Sequence, residues 1–242
     1  MKTVYVEYAL VEKFQNIFVK SIAADVTIQP ADGMEPRVAC SEGVKRRHGV
    51  TVEGDTLKIQ LRDNRNWFRR LLFRGKKAKI TLFIPRGEYG ALKINCTTGD
   101  VTIPNCFGFG SADISVVTGD ISIAASTAGT IRCKTTTGNT CLTGVRCSGL
   151  TAAGTTGDVQ MQNVIVAGTI TVRRTKGDIT MESCDGAELL IRTVTGSLKA
   201  SLLSPKVFRC KTTTGKVLVP QSAPGGLCDA SVTTGNIEIT AP

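Results

Sequence analysis

The chain has 242 residues, of which 41% are hydrophobic, 5% are aromatic and 25 are glycines. This composition is typical of many short β-strands joined by tight corners, and no run of 18 apolar residues predicts a transmembrane helix. The formal net charge is +10, but nine lysines and arginines against a single aspartate lie between Lys58 and Lys79. Basicity is therefore a local feature of the chain.

Residues 1–90 differ from the rest and are predicted to form an N-terminal β cap with degenerate coils. The opening sequence MKTVYVEYALVEKF carries acidic residues where a signal peptide has an apolar core. A cytoplasmic location is expected on that basis, with association at the membrane periphery as an alternative. The segment ADVTI (24–28) resembles strands that recur later in the chain, so the repeated structure is expected to begin near Ile17.

Two further strand signals precede residue 90. Residues 50–52 and 57–61 alternate apolar and polar side chains on either side of Glu53-Gly54-Asp55, which predicts a β-hairpin. Residues 78–84 predict another strand, closed by Pro85.

The segment 64–77, NRNWFRRLLFRGKK, interrupts the β pattern and is the best candidate for a binding site. Its aromatic and aliphatic residues alternate with cations, as in segments that bind anionic lipid headgroups, acidic polymers or nucleic acid. The alternative is a cap whose aromatic rings pack on the end of the fold while the arginines stay hydrated. The candidate residues are Arg65, Trp67, Phe68, Arg69, Arg70, Arg74, Lys76 and Lys77.

Residues 91–242 contain eight copies of one short motif at intervals of 19 or 20 residues. Examples are CTTGDVTI (96–103), TTTGNTCL (135–142) and VTTGNIEI (232–239). Such a regular period indicates one supersecondary unit stacked on copies of itself. The marking glycines are Gly99, Gly119, Gly138, Gly157, Gly177, Gly196, Gly215 and Gly235.

Apolar residues recur seven and five positions before each glycine and two and four positions after it. This period of two predicts short strands with one face turned inward. A unit of 19–20 residues is too short for a strand–helix–strand crossover. The sequence therefore predicts an all-β fold: a single-stranded, right-handed parallel β-solenoid with 19–20 residues per coil and eight coils in residues 91–242.

The repeated glycine is predicted to turn the chain at one corner of each coil with φ > 0, because glycine has no Cβ to clash there. The next residue is usually Asp or Asn, whose side chain can bind backbone N–H groups in turns. Calcium binding at these aspartates is the alternative, but calcium-binding rolls repeat about every nine residues with several glycines.

A second basic feature follows from the alignment on glycine. The position four residues before it lies between two inward columns and is expected to face solvent. Arg173, Arg192 and Lys211 occupy it in three successive repeats, which predicts a basic stripe on consecutive coils. Such a stripe could follow a polyanion, or could simply discourage association between sheets.

Nothing in the sequence predicts catalytic residues, a metal site or a cofactor. The nine cysteines form no CxxC pair and only one histidine, His48, is present. Buried free thiols are expected instead, with Cys133 and Cys210 in an inward column. His48 is expected at the surface, beside the basic residues 45–47.

The repeated (S/T)TG(D/N) unit, with FQNIFVKSIAADVTIQP before it and VFRCKTTTGKVLVP and GNIEIT near the end, resembles the bacterial putative-adhesin family of β-strand repeats. The resemblance runs from about Phe14 to Thr240. It implies a right-handed β-solenoid from a family of domains of unknown function, whose members occur beside envelope-stress and membrane proteins. It implies no enzymatic activity and transfers no catalytic residue.

Three functional hypotheses follow. The first is a non-enzymatic scaffold or binding module at the cell envelope whose partner is an anionic polymer, a membrane surface or a protein. The second is a carbohydrate-active enzyme that uses one face of the solenoid. The third is a structural rod that assembles end to end, because the chain stops one strand after the last corner and leaves little to cap that end.

Overall fold

The computed structural model describes residues 3–43, 48–61, 78–104 and 107–242. Within these ranges the chain forms β-strands and no helix, in agreement with the predicted all-β class. The strands are β1 (Thr3–Ala9), β2 (Asn16–Pro30), β3 (Arg37–Gly43), β4 (His48–Glu53), β5 (Thr56–Leu61), β6 (Ala78–Ile84), β7 (Gly87–Thr98), β8 (Val101–Ile103), β9 (Phe107–Thr118), β10 (Ile121–Ala124), β11 (Thr127–Thr137), β12 (Thr140–Thr143), β13 (Arg146–Thr156), β14 (Val159–Gln162), β15 (Ile165–Lys176), β16 (Ile179–Thr195), β17 (Leu198–Leu202), β18 (Lys206–Thr214), β19 (Val217–Leu218), β20 (Gly226–Thr234) and β21 (Ile237–Thr240).

Each repeat forms one coil of a β-solenoid. A long strand precedes the corner glycine, a short strand follows it, and each strand pairs in parallel with its equivalent in the next coil, as Ile131 does with Leu150 and Thr140 with Val159. The long strands line up on one side, called face B here, and the short strands on the other, called face A. Parallel pairing with equal coil lengths keeps equivalent residues stacked along the rod.

The corner glycines have φ between +121° and +147°, which confirms the predicted positive φ. A Cβ at Gly138 would lie 1.9 Å from the carbonyl oxygen of Gly119, and the other corner glycines meet the preceding corner about as closely. Two requirements therefore select glycine here: a backbone conformation that L side chains rarely adopt, and close contact between successive corners.

The four predicted inward columns form the core, which runs without a break from Phe14 to Ile239. Ile114, Val172 and Ile237 are fully buried examples. The exception is the coil that contains Gly215, where Phe208 and Cys210 are half-buried and Val217 is 37% exposed.

A second corner, six residues after the glycine, was not predicted. Ala125, Gly144, Asn163 and Ser183 occupy it with φ between +38° and +63°. Only Gly144 and Asn163 are residue types that signal a left-handed conformation, so the column is hard to see in the sequence.

At the N-terminal end, β2 forms a coil of the same stack, with Ile17 beside Leu92 and Val26 beside Val101. This confirms the predicted start near Ile17. Strands β5 and β6 pair with the other side of β2 and form one further coil outside it. The predicted hairpin is the antiparallel pair β4–β5, and the strand predicted at 78–84 is β6. Strands β3 and β1 continue the sheet beyond β6.

At the C-terminal end the coils do not follow chain order. Strand β20 lies between β16 and β18, and β21 lies between β17 and β19. The coil built from β20 and β21 is thus inserted between the two repeats that precede it, and the coil of Gly215 ends the rod. This placement explains why Val217 is exposed while Ile237, at the equivalent position, is fully buried.

An ion pair between buried Lys206 and half-buried Asp185 supports the connection from β17 to β18, which passes over the level of β20 and β21. Lys206 is only 3% exposed, and its Nζ donates to Asp185 Oδ1 at 2.7 Å. Ser204 Oγ donates to the same oxygen at 2.9 Å. Burial alone would raise the pKa of Asp185, but the hydrogen bonds from Lys206, Ser204 and the Gly186 backbone outweigh it and lower that pKa. This ion pair fixes the position at which the chain leaves the sixth repeat.

All nine cysteines are expected to be reduced in the native protein. The eight in the described ranges are free thiols. Burial raises the pKa of Cys96 and of Cys133 to about 12, which makes them poor nucleophiles. Titration of unfolded, non-reduced protein should find nine thiols, whereas two or more disulfides after anaerobic purification would contradict the expectation. In the folded protein, the half-buried Cys141 and Cys210 should react ahead of the buried thiols.

Candidate anion-binding surfaces

The basic segment predicted as a binding site lies outside the described residues, but both of its ends are well defined. Leu61 ends β5 on face B and Ala78 begins β6 on face A. Both strands pair with β2, Gln60 with Lys20 and Ala78 with Ala24. Between these two positions β2 has only residues 21–23. Residues 62–77 link these two strand ends in the sequence, and the equivalent part of each repeat carries Thr-Thr-Gly-Asp.

A second basic stretch joins the fold at the same corner. Residues 44–47 connect β3 to β4, and His48 pairs directly with Leu61. On face A, Ser41 pairs with Lys79, and Gly43 pairs with Thr3 at the start of β1. The ends of β1, β3, β4, β5 and β6 thus meet at one place, called the basic corner here.

The whole net charge of the protein is attached to the basic corner. Residues 62–77 contain seven cations and Asp63, residues 45–47 contain three cations, and Lys2 precedes β1. Together they carry a net charge of +10, which equals the charge of the entire chain. The described residues are therefore neutral overall, and the net charge of the chain is carried by segments joined to the basic corner.

His48 is buried, contrary to the expected surface position. It is 1% exposed, and its Nε2 lies 3.1 Å from Ser21 Oγ. The Tyr8 hydroxyl donates to the His48 carbonyl oxygen at 3.2 Å. Because β4 pairs with β5 of the outermost coil, the His48 side chain packs inward. Its contacts with Ser21 and Tyr8 connect β4 to β2 and β1.

The predicted basic stripe is wrong in its register. Arg173 and Arg192 do lie on neighbouring coils, but Ser231 separates Arg192 from Lys211 because β20 is inserted between β16 and β18. Arg192 is also engaged, since its Nη2 lies 2.8 Å from Asp229 Oδ2. The hydrogen bond from Arg192 lowers the pKa of Asp229, with help from the nearby Arg209 and Lys211.

Cations nevertheless extend along the outside of face B well beyond the predicted stripe. They occupy the columns six and four residues before the corner. Lys20 was missed because β2 lacks the marking glycine, and Lys93 because it stands six residues before Gly99 and not four. Exposed cations in these columns are Lys20, Lys93, Arg132, Lys134, Arg173, Arg209 and Lys211. This row is called the face-B track here. Beside Lys20 lies a shallow groove of about 270 Å³, which is also lined by Gln60 and Leu61.

The corner aspartates are structural, as the turn interpretation predicted. Asp100 Oδ1 accepts a hydrogen bond from the Asp120 backbone N–H at 2.9 Å, and Asp120 Oδ1 accepts one from Asn139. The same link is repeated from Asp25 at one end to Lys216 at the other. Among the described residues, no group of three or more His, Cys, Asp or Glu side chains is arranged to hold a metal ion.

A buried arginine lies among the inward residues of the stack, three residues before a corner. Arg174 is 4% exposed, and its guanidinium donates to Thr135 Oγ1 and Thr140 Oγ1, both at 2.7 Å. Gly154 provides the space, since a Cβ there would collide with Arg174 Nη1. Burial lowers the pKa of Arg174. The cluster is internal to the stack and offers no access to a ligand.

Near the N-terminus, a groove of about 740 Å³ has an apolar floor that includes Leu10, Phe14 and Tyr89. The rings of Phe14 and Tyr89 lie 6.2 Å apart, and burial raises the pKa of Tyr89 to about 12. Of the residues predicted to bind, those that the structure describes do not line this groove. No helix in the described ranges is both long and apolar enough to cross a bilayer.

Comparison with known proteins finds one matching family model and solved structures with a similar fold. Residues 14–241 match the family model described as Toastrack DUF4097, which confirms the resemblance inferred from the repeats. A putative adhesin from Bacteroides fragilis has a similar structure, with 18% identity, a TM-score of 0.55, and coverage of 99% of this chain and 97% of that one. At this identity the similarity supports the fold alone.

Two further solved structures are less similar. A putative adhesin from Parabacteroides merdae is 10% identical, with a TM-score of 0.44 and coverage of 99% and 96% of the two chains. A putative lipid binding protein from Parabacteroides distasonis is 15% identical, with a TM-score of 0.39 and coverage of 99% and 95%. No curated protein matches this chain significantly.

Proposed function

The chain belongs to the Toastrack DUF4097 family, and from that premise we propose that it is a non-enzymatic binding module that attaches its solenoid to an anionic membrane surface. The attachment runs through the basic corner. The observation that carries the proposal is the meeting of five strand ends, because the basic residues 45–47 and 62–77 belong to segments joined to these ends.

A membrane surface fits this corner better than a soluble polyanion. Residues 64–77 interleave arginines with Trp67, Phe68, Leu71, Leu72 and Phe73. Cations attract anionic headgroups, at about 1 kcal/mol for each residue near the surface, and aromatic and aliphatic side chains add binding by burial at the interface. A soluble polymer would use the cations but leave the apolar side chains without a partner.

The rest of the solenoid suits a scaffold. Its described residues are neutral overall, its corners are held by a ladder of backbone hydrogen bonds, and its core is continuous. A rigid rod anchored at one corner would present both faces to other molecules at the membrane.

Neutralising the corner should abolish most membrane binding. The expected result is a loss of about a hundredfold or more in affinity for phosphatidylglycerol-containing vesicles at low salt, because five surface cations are removed. Wild-type binding should weaken as salt rises, and vesicles of phosphatidylcholine alone should bind poorly. The substitutions, each to glutamine, are at Arg69, Arg70, Arg74, Lys76 and Lys77.

A control variant that loses the same charge elsewhere tests whether vesicle binding depends on where the cations lie or on net charge alone. It replaces exposed cations away from the corner by glutamine, and its vesicle binding should stay close to that of the wild type. These cations are Arg86, Arg146, Lys176, Lys199 and Lys216. Fluorescence of Trp67, the only tryptophan, should shift to the blue with anionic vesicles. Unchanged binding in the corner variant, or equal losses in both variants, would contradict the proposal.

A further inference from the structure

A second surface of the molecule carries charge in an ordered way. Alternate residues of the long strands face outward, and on face B the columns six and four residues before the corner hold the face-B track. Opposing charge in these columns is limited, in the described residues, to Asp113 and Asp229. The outward side of face A is different: it holds Glu182 and Glu238 as well as Lys79 and Lys199.

The register places the track parallel to the rod axis. Lys20 pairs with Asn95 on the coil that also bears Lys93, and Arg132 and Lys134 lie two coils further along. Arg173 follows after two more coils, and Arg209 and Lys211 lie on the terminal coil. With strands about 4.8 Å apart, the eight steps from Lys20 to Lys211 span about 38 Å.

The shape of the track selects among polyanions. Its cations occupy in-register positions along one parallel sheet, whereas the two backbones of a nucleic acid duplex wind around an axis. Single-stranded nucleic acid binds by stacking its bases on aromatic side chains. In the described part of face B the outward columns offer only Phe18, which is half-buried, so a base-stacking platform is missing.

Exposed hydroxyl groups run beside the track. The column two residues before the corner holds Thr136, Thr155 and Thr175 on successive coils. Val117 and Val194 end this row on either side, and beyond them the column again holds threonine, at Thr97, Thr213 and Thr233. Hydroxyls can donate to and accept from the hydroxyl groups of sugars. A surface that combines a line of cations with a line of hydroxyls complements a polymer that bears both acidic groups and hydroxyls.

We infer that the outer surface of face B binds a single extended chain of an acidic polysaccharide, with its carboxylate or other anionic groups on the face-B track and its hydroxyls on the adjacent threonines. Arg192 supports this surface from within: its guanidinium is fixed by Asp229 Oδ2 and by the Asp229 carbonyl oxygen. The polysaccharide therefore contacts mainly the cations on either side of Arg192. This surface is separate from the basic corner and does not depend on membrane binding.

Four substitutions to glutamine test the track without touching the core. They should weaken binding of alginate, a linear polyuronate, by about tenfold or more, since each exposed pair contributes modestly and four are removed. Binding of wild-type protein should strengthen with alginate length until the oligomer spans about 38 Å, and neutral dextran should not bind. The residues replaced are Lys93, Lys134, Arg173 and Lys211.

Two matched variants locate the site. Glutamine at Lys79, Arg86, Lys199 and Lys216 removes the same charge from outside face B, and alginate affinity should stay within about twofold of wild type if exposed pairs act locally. The five-site corner variant should also retain alginate binding, so failure of one proposal does not imply failure of the other. Unchanged alginate affinity in the track variant overturns the inference. Tighter binding of oligo-dT than of alginate of equal charge overturns the polysaccharide assignment.

Discussion

Replacing Gly157 by alanine is expected to destabilise the protein by about 3 kcal/mol or more, a large fraction of a typical domain's stability. The residue has φ = +121°, and an added Cβ would lie 2.2 Å from the Gly138 carbonyl oxygen. Alanine must adopt a strained conformation and also push two corners apart. The measurement is the urea midpoint of the variant followed by circular dichroism.

Gly149 supplies the matched control, because it lies in the same coil as Gly157. A Cβ there would meet only Thr130 Cγ2, at an ordinary distance of 3.8 Å. Gly149→Ala should therefore change stability by less than about 1 kcal/mol. Similar midpoints for the two variants would show that the corner tolerates a side chain and would contradict the explanation of the repeated glycine.

Truncating Ile237 should cost far more than truncating Val217, although both occupy the position two residues after a corner glycine. Ile237 is fully buried between β17 and β19, whereas Val217 is 37% exposed on the terminal coil. Ile237→Ala should lower stability by about 3 kcal/mol, because it leaves a cavity in the core. Val217→Ala should lower it by less than about 1 kcal/mol.

This pair also tests the order of the coils. If the coils were stacked in chain order, Val217 would be enclosed on both sides and Ile237 would lie at the end, so the costs would be reversed. Denaturation midpoints of the two single variants decide between the orders. A larger loss for Val217→Ala would reject the inserted coil.

The repeat could be predicted in detail because every coil meets the same physical requirements. The inward columns, the corner glycine with φ > 0 and the bonding role of Asp100 and Asp120 all follow from local chemistry. The strands before residue 90 were also recognisable from alternation and from the turn at Gly54. These features need no knowledge of which coil lies beside which.

The order of the coils could not be predicted for the same reason: each coil fits beside any other. One signal does point to it. Lys216 stands where other repeats have Asp, Asn or Ser, and a lysine cannot accept a hydrogen bond from the next corner. In the structure no described coil follows it, and the Lys216 backbone N–H donates to Asn236 Oδ1 at 2.9 Å.

The basic corner was partly predictable as well. The basic and aromatic composition of residues 64–77 is evident in the sequence, but its meeting with residues 44–47 depends on the pairing of His48 with Leu61. Burial of His48 followed from the same pairing. The face-B track likewise required the register of β2, since Lys20 carries no repeat marker of its own.

The inserted coil has a consequence for how the protein is made. A ribosome delivers residues 206–219 before residues 226–240, yet the later segment must lie between the earlier one and the sixth repeat. The nascent chain therefore cannot complete its rod one coil at a time. Until β20 and β21 have emerged, the backbone edges of β16 and β17 are open, and the segment 206–219 either waits or occupies a register that it must later leave. In the first case β20 and β21 dock before β18 and β19, and in the second they insert between strands that have already paired. In both cases the time until β20 and β21 dock sets how long the open edges are exposed to pairing with other chains.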